Sequence, residues 1–140
     1  MRVAIVLLFL MTIAAPAHAA TTPSYRLCNP DRIKQTNAWV DCLQKALDMA
    51  EEKLSAAARK IAAGMQAGDM LEEPTRTEMR ALFDAAQKQW LSVRDQDCRA
   101  YGAHRAGLGF GAAQFRLTCL LDETTYRIDA LRARYADELK

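Results

Sequence analysis

Four cysteines restrict the folds open to this chain of 140 residues. They are Cys28, Cys42, Cys98 and Cys119, and no two of them form the C-x-x-C pair used by many zinc sites and by haem attachment. An even number of cysteines in a small exported domain is typical of two structural disulfides, whereas cysteines inside a cell more often bind metal or react. The interpretation therefore depends on whether the protein is exported.

The amino-terminal segment has the pattern of a secretory signal peptide. A positively charged start precedes an almost entirely apolar run over 3–15, and Ala17-His18-Ala19 is a small-x-small cleavage pattern. The run is shorter than the roughly 20 residues that cross a hydrocarbon core. We predict a signal peptide over 1–19, cleavage before Ala20, a single domain over 20–140, no remaining membrane span, and a periplasmic or secreted location.

Apolar residues in the rest of the chain recur with the helical period near 3.6. The pattern predicts helices within 36–63, from Thr75 to near Gly102, and over about 112–138. Residues 64–74 form a connection, and the glycine-rich residues 102–111 are expected to contain no helix. Since no alternating strand pattern is present, the predicted fold class is an all-α, three-helix antiparallel bundle with two disulfides.

Start signals, stop signals and apolar faces define these helices further. Thr75 and Glu78 form a capping box, and Gly64 and Gly68 mark the end of the first helix. The predicted core faces are Trp39, Leu43, Leu47, Ala50, Leu54, Ala57 and Ile61 in the first helix; Met79, Leu82, Phe83, Ala86, Trp90 and Val93 in the second; and Leu117, Leu120, Leu121, Thr124, Ile128, Leu131 and Tyr135 in the third.

The predicted helices limit how the cysteines pair. Cys98 and Cys119 lie at comparable heights on either side of the glycine-rich turn, so a bridge between them is geometrically reasonable. Cys28 reaches Cys42 only if the first helix starts late, because bridged Cα atoms lie within about 7 Å. An earlier start would require a different pairing. We favour the late start, with Thr36 as N-cap.

Charge and motifs exclude several classes of function. Without the leader the chain has 18 Lys and Arg (19 less Arg2) against 17 Asp and Glu. This balance gives no case for a nucleic-acid binder. The chain has no phosphate loop, zinc-protease helix, G-x-S-x-G elbow or dinucleotide fingerprint. We therefore predict a protein that is not an enzyme, without catalytic residues, a metal site or a cofactor.

A structural hydrogen-bond cluster is predicted where the second and third helices pack together. Its members are Trp90, Arg94, Asp95, Thr124 and Arg127. Trp90 and Arg94 share a helix face with Cys98, because each follows the last by one turn. We expect the indole to fill the core, the Arg94 stem to pack beside it, and its guanidinium to pair with an acid.

Residues of this cluster belong to two sequence motifs that resemble those of a known family. Residues 87–98 have the form Q-x-x-W-x-x-x-R-D-x-x-C, and C-x4-T-x2-R-x3-L begins at Cys119. With Cys28 and Cys42 upstream, the chain resembles the LprI-type lysozyme-inhibitor family over about residues 28–135. The resemblance implies a helical, disulfide-stapled envelope protein with lysozyme inhibition as its activity.

The partner that the resemblance implies is a lysozyme or another peptidoglycan hydrolase. Lysozyme-type retaining glycosidases use two carboxyl groups about 5 Å apart in a cleft. We predict that a glycine-flexed loop enters this cleft, with His104 and Arg105 pairing with the carboxyls and Leu108 and Phe110 as the apolar anchor. The alternative is an interaction or structural domain without lysozyme contact, which an exposed apolar groove between helices would favour.

Overall fold

A computed structural model describes residues 22–33, 35–67, 72–109 and 111–140, where α-helix is the only regular secondary structure. The helices are α1 (Pro23–Leu27), α2 (Thr36–Ala67), α3 (Glu73–Ala106) and α4 (Gly111–Arg134). The described residues contain no strand and two disulfides, so the predicted fold class is confirmed. The short α1 was not predicted, and the predicted signal peptide lies outside the described residues.

Helix α2 buries the face that its periodicity predicts. Leu43, Leu47 and Leu54 are buried along it, and Trp39 is partly buried at its start. The helix begins at Thr36, but the Gln35 carbonyl accepts the first helical bond, from the amide of Trp39, so Thr36 is not the N-cap.

The predicted end of this helix was wrong. Helix α2 continues through Gly64 to Ala67. A glycine inside a helix costs only about 1 kcal/mol relative to alanine. Ile61 and Ala62 are buried just before it and Met65 packs on the core just after it, so side-chain burial outweighs that cost.

The predicted capping box at the second long helix was also wrong. Helix α3 begins two residues earlier, at Glu73, and the Glu72 carbonyl accepts the amides of Thr75 and Arg76. Pro74 occupies the first turn, where its missing N–H leaves no bond unmade. Glu73 instead accepts side-chain hydrogen bonds from Arg76 and Thr77, which lower its pKa.

Helix α3 runs through Gly102, which corrects the prediction that residues 102–111 contain no helix. A Cβ atom at Gly102 would lie 2.6 Å from the carbonyl oxygen of Ala112, so this glycine permits α3 and α4 to approach closely. The helix ends only at Gly107, whose positive φ of 66° suits glycine. Among the described residues, 107–109 alone separate α3 from α4.

The buried face of α3 differs from the prediction. Phe83 is buried as expected and Trp90 is half-buried, but the other buried positions are Arg94, Cys98 and Gly102. The remaining residues of the predicted stripe are exposed: Met79, Leu82, Ala86 and Val93. The prediction failed because the buried face of α3 contains an arginine and a glycine, which an apolar pattern does not count.

Helix α4 buries its predicted face, including Leu121, Thr124 and Ile128, but ends at Arg134 rather than near 138. The chain then turns back over the bundle. Tyr135 packs edge-to-face on Phe83 with ring centroids 5.5 Å apart. The Lys60 ammonium donates to the last two carbonyl groups of the chain, at 3.0 and 2.6 Å.

Both favoured cysteine pairings are present. Cys28 bonds to Cys42 with Cα atoms 5.8 Å apart, and Cys98 bonds to Cys119 with Cα atoms 5.4 Å apart. The late start of α2 makes the first bridge possible. The Trp39 indole N–H donates to the Cys28 carbonyl at 2.9 Å, which fixes the closed loop against α2.

Candidate functional site

Arg94 occupies a buried position where α2, α3 and α4 meet. Its side chain is only 6% exposed. Nη1 donates to Thr124 Oγ1 at 2.7 Å, while Nε and Nη2 donate to Asp95 Oδ1 at 3.0 and 2.7 Å. Nη2 also lies 2.9 Å from Glu51 Oε1. All three nitrogens are therefore engaged, and one guanidinium joins three helices.

Two guanidinium groups lie over the Trp90 ring. The Cζ atoms of Arg94 and Arg127 are 5.5 and 5.3 Å from its ring, within cation–π range. Arg127 Nε donates to Gln87 Oε1 at 3.3 Å, and burial lowers the pKa of Arg127. The structure thus brings together Trp90, Arg94, Asp95, Thr124 and Arg127, the cluster expected from the sequence.

Glu51 belongs to this cluster but was missed by sequence reasoning. It lies on α2 beside the apolar stripe, and its side chain is 45% exposed. Nothing in its local pattern distinguishes it from the other acids of α2, and its partner Arg94 is 43 positions later in the chain. An open groove of about 440 Å³ between α2 and α3 passes Glu51, Arg94 and Asp95.

The predicted partner contacts lie at the α3–α4 tip, which we define as His104, Arg105, Leu108 and Phe110. His104 and Arg105 are exposed in the last turn of α3. The prediction that they lie on a flexible loop was therefore wrong. Leu108 is 96% exposed. Phe110 lies outside the described residues.

Aromatic rings support the cation at this tip. The Arg105 guanidinium lies 5.2 Å from the Phe115 ring, and Tyr101 meets the same ring edge-on at 6.3 Å. These contacts link the end of α3 to the start of α4. Arg105 is consequently both exposed to solvent and restrained by a ring.

A second surface is the α2–α4 groove, which α1 closes at one end. Leu27 and Met49 are 61% and 58% exposed at its edge. Ala46, Ala50 and Ile128 form an apolar floor, and the basic side chains of Lys53 and Arg132 also line it. The groove is the kind of apolar cleft that the interaction-domain hypothesis requires.

The described residues were also searched for clusters that could bind a metal ion and for helices that could span a membrane. Across residues 22–33, 35–67, 72–109 and 111–140, no three His, Cys, Asp or Glu side chains lie close enough to hold a metal ion. None of the helices found there has the length and apolar character needed to cross a bilayer.

A family model matches most of the chain. The model described as lysozyme inhibitor LprI covers residues 28–131. The chain belongs to the LprI lysozyme-inhibitor family. This confirms the resemblance inferred from the sequence, and the matched range includes both disulfides, the Arg94 cluster and the α3–α4 tip. No curated protein and no solved structure matches the chain.

Helix α1 lies outside the range matched to the LprI family but is fastened to it. Asp122 of α4 accepts the amide of Ser24 at 2.6 Å and its hydroxyl at 2.9 Å. Desolvation raises the pKa of Asp122 even though both hydrogen bonds favour the ionised form. This carboxyl therefore holds α1 against α4 beside the α2–α4 groove.

Proposed function

We propose that this protein is exported to the cell envelope and inhibits lysozyme-type peptidoglycan hydrolases by direct protein–protein contact, without catalysing a reaction. The match to the LprI family is the observation that carries the proposal. Two disulfides support an exported location, because oxidising compartments allow them to form and persist. The predicted signal peptide over 1–19 is the proposed route of export.

The contact surface that we propose is the α3–α4 tip. Its helical stem holds Arg105 against Phe115, so little side-chain entropy is lost when the guanidinium pairs with a carboxylate. Leu108 lies at the turn with almost its whole surface exposed, which suits an apolar anchor. A retaining glycosidase offers both complements, since its cleft contains two carboxyl groups about 5 Å apart.

Lysis of bacterial cell walls, followed by turbidity, tests this function. The mature, oxidised protein is expected to slow lysis by at least one of several lysozymes. The variant H104A/R105A/F110A should lose most of this potency, because it removes the cation and an anchor from the tip. A control, M49A/K53A/R132A, changes the α2–α4 groove and should retain full potency. Full potency in the tip variant would refute the tip as the contact surface.

The second candidate is an envelope interaction domain that does not contact lysozyme. The α2–α4 groove favours it, because Leu27 and Met49 leave apolar surface exposed beside a basic edge. The same turbidity assay separates the two functions. Absence of inhibition by excess folded, oxidised protein would exclude the inhibitor and leave this candidate.

A further inference from the structure

The end of the α3–α4 hairpin contains arginines but no acidic residue. Residues 98–121, between Asp97 and Asp122, include no Asp or Glu, and no acid-free stretch beyond Asp31 is longer. These residues form the last turns of α3, the connection and the first turns of α4. Three arginines lie in this stretch, and we call them the basic collar: Arg99, Arg105 and Arg116.

The basic collar is centred on Gly102. Arg99 precedes this glycine by three residues and Arg105 follows it by three, so each lies about one turn away along α3. Arg116 belongs to α4, and a Cβ atom placed on Gly102 would lie 3.2 Å from the Cβ atom of Arg116. The close approach of α3 and α4 at Gly102 therefore gathers three cationic side chains at one end of the hairpin.

Within the described part of the chain, the arginines of the basic collar form no ion pair. Arg99 and Arg105 are exposed, and Arg105 meets the Phe115 ring. Arg116 is half-buried, and its Nε is a buried donor for which the described residues supply no acceptor. Arginines away from this end do pair with carboxylates: Arg76, Arg80, Arg94 and Arg132.

The basic collar lies behind an uncharged turn. No residue from 106 to 115 carries a charge, and Leu108 is exposed there. Gly102 is five residues before Gly107, so the collar lies about 8 Å behind the turn along α3. When the α3–α4 tip enters a cleft, the arginines at positions 99 and 116 are therefore placed to meet the rim of that cleft and not its floor.

We propose that the basic collar selects peptidoglycan hydrolases whose cleft rim has an excess of acidic residues, and discriminates against lysozymes with a basic surface. This selection rests on the proposed function and adds the charge of the partner to it. Like charges near Gly102 repel each other, and an acidic rim supplies the carboxylates that the fold does not. The nearly balanced charge of the whole chain is no obstacle, because the field of the docking surface steers association.

Inhibition constants for a panel of lysozymes with acidic or basic surfaces test the selection. A soluble oligosaccharide substrate removes the charge of the cell wall from the measurement. At low salt the mature, oxidised protein should inhibit the acidic enzymes at least tenfold more tightly, and high salt should reduce this preference. Equal or reversed preference, or inhibition confined to intact walls, would overturn the selection. Inhibition of no enzyme, on walls or on soluble substrate, would contradict the proposed function itself, and the selection with it.

Charge variants assign the selection to the basic collar. R99E should slow association with an acidic lysozyme at least fivefold at low salt, measured by surface plasmon resonance. K88E makes the same change of charge at an exposed position of α3 about 21 Å before Gly102, and should change the rate less than twofold. R116M keeps an apolar stem without the charge and should also slow association. Circular dichroism checks that each variant folds. Equal effects of R99E and K88E would overturn the proposal.

Discussion

At the scale of single residues, Arg94 shows how a buried charge becomes a structural element. Burial of an unpaired guanidinium would be strongly unfavourable. Here three acceptors on three helices surround it: Glu51, Asp95 and Thr124. The net contribution of Arg94 to the stability of the fold is the free energy of these contacts minus that of the hydrated guanidinium. Removing either the arginine or its acceptors loses that contribution and leaves a buried polar group without a partner.

The first prediction concerns this residue. R94A should lower the free energy of unfolding by about 2–3 kcal/mol, because it leaves the buried Thr124 hydroxyl without its donor and opens a cavity beside Trp90. R99A, an exposed arginine on the same helix, should change it by less than about 0.5 kcal/mol. Urea denaturation measures both. Equal effects in the two variants would contradict a structural role for Arg94.

The second prediction concerns Gly102. G102A places a methyl group 2.6 Å from the Ala112 carbonyl oxygen, so α3 and α4 must separate. We expect a loss of about 1–3 kcal/mol. G64A is the matched control, because the atoms nearest an added Cβ there are Cγ and Cβ of the half-buried Glu138 side chain, at 3.0 and 3.1 Å, and not a backbone carbonyl. Alanine also has the higher helix propensity, so thermal unfolding should rank G102A well below G64A.

At the scale of elements, α1 is held by one titrating carboxyl. Burial raises the pKa of Asp122 above its ordinary value near 3.8. The native state therefore binds this proton at higher pH than the unfolded chain does. It follows that the free energy of unfolding rises as pH falls from the raised pKa toward 3.8, and that this gain is lost as pH rises.

The third prediction follows from the direction of this pH dependence. D122N has a side-chain amide that does not titrate, so the stability difference between parent and D122N isolates the carboxyl. The free energy of unfolding of the parent should increase relative to that of D122N as pH falls from about 7 to about 4. Chemical denaturation at a series of pH values measures it. A decrease of the parent's stability relative to D122N over this range would mean that the Ser24 hydrogen bonds outweigh desolvation, and would contradict the prediction.

The buried faces of the helices show which core residues the apolar periodicity could predict. In α2 and α4 the buried residues are mostly apolar, so periodicity identified Leu43, Leu54 and Ile128 correctly. In α3 the buried face includes Arg94 and Gly102, whose burial depends on partners from other helices. No local signal distinguishes a glycine needed for close packing from one that ends a helix.

The candidate site was predictable to the same degree. Trp90, Arg94 and Thr124 were grouped correctly because motif spacing and helix geometry both place them at one junction. Glu51 was missed because its contact is made across the bundle. At the tip, the glycine content predicted a loop, whereas α3 extends to Ala106 because it packs closely on α4 at Gly102.

At the scale of the whole molecule, the two disulfides restrain different ends of the chain. Cys28–Cys42 holds the amino-terminal segment to α2, and Cys98–Cys119 joins α3 to α4 two turns before the tip. Both close loops, and the chain-entropy model gives each about 3 kcal/mol of stability. Only the second joins the two helices that flank the α3–α4 tip.

The fourth prediction separates these roles. C28S/C42S and C98S/C119S should each lower the free energy of unfolding by about 2–5 kcal/mol. Under conditions where both variants remain folded, C98S/C119S should also lose inhibitory potency, because α3 and α4 no longer hold the tip together. C28S/C42S should retain it. Denaturation curves and the lysis assay, read on the same preparations, make the comparison; the reverse order of potency would contradict the proposed contact surface.

Inhibition measured on a small soluble oligosaccharide substrate tests the central claim most directly. A protein that merely coats the cell wall would protect the wall but leave hydrolysis of a soluble substrate untouched, whereas a protein that fills the lysozyme cleft blocks both. The mature, oxidised protein is expected to abolish hydrolysis in a titration that ends at one tip per enzyme molecule. An unchanged rate with every lysozyme tested, at a large excess of folded protein, would contradict inhibition by contact with the enzyme.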